Sequence, residues 1–226
     1  MLNALTRLAR SPLKKEITIV HTDPDRLAAD ARKLSSARVI FGFVSPTCDM
    51  ARVHRTLSEA APEATLMLSL SAGTLLSQTD QPLYLSAESQ SIVLQGWHND
   101  LVDSLHVVRV PLHCEDIKSG QPRLSLDERV TRIRQEVERI RVPFEMDHTD
   151  TVAITLVDGL SNSENFLMRA IYDSRRFPIM FVGGSSGGPL DFSYTCLADR
   201  QGVFENHALI GFVKLKKPYR YSVFGI

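Results

Sequence analysis

Three short apolar runs separated by two amphipathic segments open the chain, and that order narrows the available architectures sharply. The runs are Glu16–His21 (EITIVH), Arg38–Val44 (RVIFGFV) and Thr65–Leu70 (TLMLSL). After the first, Asp23-Pro24 supplies an N-cap and a proline suited to the first helical position, and Leu27, Ala31 and Leu34 follow at helical spacing. After the second, Asp49 can cap a helix whose Val53, Leu57 and Ala61 form one stripe. A β-α-β-α-β order with short connections favours a parallel sheet covered by helices.

The middle of the chain changes character. Tyr84–Trp97 and Leu105–Leu112 (LHVVRVPL) read as a β-rich, antiparallel section. Ser125 and Glu128 then form a capping box, Val130, Ile133, Val137 and Ile140 step by three and four, and Pro143 closes the helix. Arg129, Arg132, Arg134, Arg139 and Arg141, mixed with Glu128, Glu136 and Glu138, read as its solvated outer face. The last third repeats the opening rhythm. A strand at Thr151–Val157 precedes a second capping box, Ser161-Asn162-Ser163-Glu164, and a helical stripe of Phe166, Leu167, Ala170 and Ile171. A strand at 178–182 follows, and Thr195–Asp199 and His207–Leu215 look like hairpin strands around Asp199-Arg200-Gln201-Gly202. The recurrence of β-α-β at both ends is open to reading as a diverged duplication. The expected class is therefore α/β: a largely parallel mixed sheet with flanking helices and an antiparallel middle section.

At 226 residues, with 43% hydrophobic and 23% charged residues, the chain has the balance of a soluble globular protein of one large domain or two small ones. Residues 1–15 read as an N-terminal extension and 16–226 as the domain. The extension has basic residues but lacks the apolar core of a signal peptide; its acid-poor composition leaves a transit peptide as an alternative. Lysine plus arginine equal aspartate plus glutamate at 26 each, which argues against nucleic acid as a partner. No stretch approaches 18 apolar residues, so no membrane insertion is expected. Three dispersed cysteines, Cys48, Cys114 and Cys196, fit a reducing, cytoplasmic setting better than a disulfide framework.

Four glycines in six residues mark Gly183-Gly184-Ser185-Ser186-Gly187-Gly188, directly after an apolar strand. Such a loop lets another molecule approach the backbone closely. Gly184 to Gly188 also fits G-x-S-x-G, with Ser186 as nucleophile and Asp191 and His207 as the downstream acid and base; Pro189–Ser193 does not start a convincing helix, which counts against a hydrolase. No Lys accompanies the glycines and no dinucleotide fingerprint follows the first strand. Successive N–H groups of the loop suit a carboxylate nest. The seven histidines show no H-x-x-x-H pair, and His98, His106 and His113 are the candidates for a single axial haem ligand.

Taken in order, several segments resemble the N-terminal half of FIST domains. They are Val44-Ser45-Pro46 with Asp49, Ser71-Ala72-Gly73, Asp158-Gly159-Leu160 with Glu164, Gly183-Gly184 with Asp191, Thr195, and HALIGFV at 207–213. The chain departs from the family where Ser69-Leu70 replaces a frequent Cys, and where six residues separate Gly184 from Asp191. The resemblance implies a cytoplasmic ligand-sensing module of a signalling protein, without enzymatic activity. It also implies a second C-terminal half and an output module as partners: a chemoreceptor region, a histidine kinase or a cyclic-dinucleotide enzyme. The ligand class it implies is a small molecule such as an amino acid, with haem for nitric oxide as the alternative. Ligands of open α/β sheets bind beyond the carboxyl ends of strands. The expected pocket therefore lies where the loops after 38–44, 65–70 and 178–182 meet, with Ser45, Ser71, Gly73, Gly183, Gly184, Ser185 and Asp191 as contacts. Finally, the Arg-rich face of the 125–141 helix is read as free to meet a partner.

Overall fold

The computed structural model describes residues 16–76 and 84–222; the expected 1–15 extension lies outside them. The strands are β1 (Ile17–Thr22), β2 (Ala37–Val44), β3 (Thr65–Leu70), β4 (Gly73–Leu75), β5 (Tyr84–Ser86), β6 (Ile92–His98), β7 (Val102–Pro111), β8 (Thr151–Val157), β9 (Met180–Ser185), β10 (Leu197–Asp199), β11 (Gly202–Phe204) and β12 (His207–Leu215). The helices are α1 (Leu27–Asp30), α2 (Met50–Ala60), α3 (Glu115–Lys118), α4 (Leu126–Arg139) and α5 (Glu164–Ser174).

Two sheets pack face to face, each with helices on its outer side. One sheet has the order β1-β6-β2-β3-β10-β11 and the other β7-β12-β8-β9, while β4 and β5 form a separate hairpin. Strand alternation sorts the side chains into three apolar layers. In β2, Ile40 and Val44 join Leu27, Leu34, Val53 and Leu57 beneath α1 and α2. Val39 and Phe41 point the other way and meet Leu156, Leu209 and Val213 of the second sheet. In β12, Ile210 and Phe212 face Ile133, Val137, Leu167 and Ile171 of α4 and α5. Gly211 permits the sheets to close: a Cβ there would lie 2.5 Å from Met67 Sδ.

The class is α/β with mixed sheets and flanking helices, as expected, but the parallel share is smaller. Only the ladders β2–β3 and β8–β9 are parallel, and the seven others among the described residues are antiparallel. The reason is long-range insertion. β6 returns between β1 and β2, and β12 between β7 and β8, so strands that run the same way are not neighbours. The middle strands β6 and β7 belong to different sheets, and β12 does not join the 197–204 hairpin.

The same plan occurs twice. Each sheet contains four strands paired antiparallel, antiparallel and parallel, as β1-β6-β2-β3 and as β7-β12-β8-β9. A hairpin follows the third of these strands in each half, β4–β5 and β10–β11. Loop hydrogen bonds repeat as well. Ser45 N–H donates to Ser91 O and Ser71 N–H to Val44 O; Asp158 N–H donates to His207 O and Ser186 N–H to Val157 O. The correspondence matches the duplication suggested by the sequence rhythm.

Candidate functional site

The carboxyl ends of both parallel pairs converge. Gly187 N–H donates to Leu70 O at 3.0 Å, and a Cβ on Gly187 would lie 2.7 Å from Ala72 N. Ser71 N–H reaches Val44 O at 2.9 Å, and Tyr194 Oη donates to Pro46 O at 3.0 Å. The three loops singled out from the sequence are therefore neighbours, but their side chains divide into two groups.

Ser45, Ser71 and Gly73 serve local structure. Ser45 is buried and its Oγ donates to Ala87 O at 2.7 Å. Ser71 Oγ donates to Gly73 O at 2.6 Å, and a Cβ at Gly73 would collide with the Tyr84 ring. Gly183 and Gly184 instead wall a cavity of about 170 Å³ between α5 and the β8–β9 pair, with Thr155, Leu167, Met168 and Phe181. Ser185 Oγ donates to Glu164 Oε1, and Glu164 also lines the cavity. Thr155 is buried and its Oγ1 has no protein partner. Asp191 stands apart on an exposed loop, where hydrogen bonds from Ser193 hold its carboxyl below the usual carboxylate range.

Three local expectations are corrected. Glu164 does not form a capping box. α5 is capped at Ser163 without a side-chain bond, Ser161 Oγ accepts from Ser163 N–H, and Glu164 turns to Ser185. The loop is not a nest of free donors, since Ser186 and Gly187 N–H groups are taken by Val157 and Leu70 carbonyls. Arg129 is not solvated: it is 1% exposed, donates to both Asp116 oxygens at 2.9 Å and reaches His113 O.

The hydrolase constellation is not assembled. Ser186 Oγ accepts from Thr195 Oγ1 at 2.7 Å and Gly159 N–H at 3.2 Å. Asp191 accepts from Ser193 N–H, and His207 Nδ1 bonds Glu205 O.

The haem candidates do not share a cavity. His98 is buried, with Nε2 2.8 Å from Thr18 Oγ1 and Nδ1 3.1 Å from Ser36 O, so both ring nitrogens are engaged. His106 lies on β7 with its ring 6.5 Å from that of Phe212, and burial pushes its pKa down. His113 borders a cavity of about 480 Å³ whose lining includes the charged side chains of Glu115, Asp116, Arg123 and Arg132, which suit a porphyrin's apolar faces poorly.

Sequence reasoning passed over Thr155, Met168 and Phe181, and took Glu164 as a cap and a family motif residue, not as a cavity residue. The helical stripe at Phe166–Ile171 was the available signal, because it placed α5 above the glycine strand. Asp158 was also missed as a structural acid. It is fully buried, accepting from Leu160 and Asn206 N–H groups and from Lys118 Nζ at 3.0 Å.

These features define a four-layered α/β domain with a small, mostly apolar cavity at the carboxyl end of a parallel strand pair. The family model of the FIST N domain matches residues 38–225, and the chain belongs to that family. FIST domains are sensory domains of signalling proteins. No curated protein matches the chain. Among the described residues, no helix is long and apolar enough to cross a membrane.

Proposed function

We propose that residues 16–226 form a cytoplasmic, non-enzymatic input domain whose ligand is a small molecule with an apolar body and an amino group, apolar amino acids among them. One observation carries the reading: a small, mostly apolar cavity under α5 brings together a carboxylate and an unpartnered buried hydroxyl. Apolar walls favour the body of such a ligand, and Glu164 favours an ammonium group at the rim. The partners in this reading are a C-terminal half and an output module: a chemoreceptor region, a histidine kinase or a cyclic-dinucleotide enzyme.

A thermal-shift and calorimetric screen tests it with apolar amino acids, their decarboxylated amines and their deaminated acids. Amino acids and amines should stabilise the protein, by about 2.7 kcal/mol at 100 times the dissociation constant. Glu164→Gln should abolish the response to the amines, since Glu164 supplies the carboxylate at the rim of the cavity. Binding by the acids alone, or a Soret band with haem supplied, would overturn the reading.

A further inference from the structure

The two halves of the fold treat one pair of equivalent strands differently. β3 and β9 occupy the same place in their four-stranded ladders. The outer edge of β3 is closed by β10, antiparallel, with Leu197 opposite Ser69 and Ala198 opposite Leu68. The outer edge of β9 pairs with no strand among the described residues. β1 and β7 are outer strands in both halves, so open edges there belong to the plan. An open edge at β9 breaks it.

The β9 edge also lacks the usual protection. Met180–Ser185 (MFVGGS) has no charge and no proline, the devices that normally keep edge strands from pairing. β7 has both, in Asp103, Arg109 and Pro111. Met180 is 48% exposed on β9, and Met168 and Tyr172 are exposed on α5, the helix that packs over β8 and β9. Charge is polarised along the same edge. Arg175 and Arg176 precede β9, whereas Glu164 bonds its last residue and Asp191 follows it.

We propose that β9 is the interface of a homodimer, in which β9 of one copy adds antiparallel to β9 of a second. A twofold axis makes the edge self-complementary, as the commonest oligomers are. In the register centred on Gly183, each Val182 faces Gly184 of the other copy. The basic end of one copy then lies over the acidic end of the other, and the second sheet continues across the axis as eight strands. The proposal does not rest on the sensory reading.

Light scattering on the full chain, with concentration-dependent hydrogen exchange, tests it. The expected result is a species of twice 25.3 kDa whose 180–185 amides are protected only in the dimer. Met180→Lys, at an exposed position, should give a monomer with an unchanged circular dichroism spectrum. A monomer at all concentrations up to about 1 mM overturns the proposal. So does a dimer that leaves β9 unprotected or that ignores Met180→Lys. Protection of β9 in the monomer would assign the edge to another segment of the chain and overturn it equally.

Discussion

Arg129 shows how much one side chain can hold. It ties the start of α4 to α3 through Asp116 and to the end of the β7 segment through the His113 carbonyl. That guanidinium, with the Arg123 and Leu124 N–H groups, holds the Asp116 carboxyl far below its ordinary value. A depressed folded pKa means the contribution is complete above the unfolded value near 3.9 and is lost as pH falls through the folded one. Arg129→Ala should cost on the order of 3 kcal/mol in urea denaturation, and a cost under about 1 kcal/mol would refute the role. His106 acts at milder pH. Burial lowers its pKa, so the unfolded chain takes up a proton first and stability should fall as pH drops below about 6.5. His106→Leu should flatten the melting temperature between pH 7 and 5; an unchanged slope would assign it to other groups. The thiols work in the opposite direction. Burial pushes Cys114 up to about 11 and Cys196 up to about 12, and raises Cys48. All three should resist a thiol reagent at pH 8 until denaturant is added.

At the scale of the element, β9 offers a paired test. A Cβ on Gly183 would lie 1.7 Å from Thr155 O, whereas one on Gly184 meets nothing within 4 Å. Gly183→Ala should therefore cost roughly 1–3 kcal/mol by prising β9 from β8, and Gly184→Ala should be nearly neutral in thermal unfolding. Equal costs would mean that close approach is not what requires the first glycine. Ser125→Ala should cost about 1 kcal/mol, because Ser125 Oγ and Glu128 satisfy each other's backbone donors at the start of α4. Signals of this local kind were legible. The Ser125 box, the Asp49 cap and the stripes Val53–Leu57 and Val130–Val137 depend on residues a turn apart, and the structure contains all of them. The second box failed because Glu164 had a stronger claim on it, Ser185, brought near only by tertiary packing. Strand neighbours failed for the same reason. Nothing local to β2 announces that β6 will lie against it. The candidate site was half legible: the glycines marked the strand, but the cavity needed α5 placed above it.

As a whole molecule, the chain should unfold as one unit. Its two halves share the inter-sheet layer, and β10 of the second half is a strand of the first sheet. Trp97 of the first sheet packs against Phe41 with ring centroids 5.0 Å apart, and it is the chain's single tryptophan. Its fluorescence and far-ultraviolet circular dichroism should trace coincident denaturation curves. Separated transitions would show that each sheet stands alone. The placement of β10 has a further meaning for synthesis. When the first β-α-β unit leaves the ribosome, β3 has no partner on its outer side, and the strand that will occupy that place is not yet translated. The nascent chain must keep TLMLSL from other edges until Leu197–Asp199 arrives, so slow translation or interruption before that point should leave an aggregation-prone fragment.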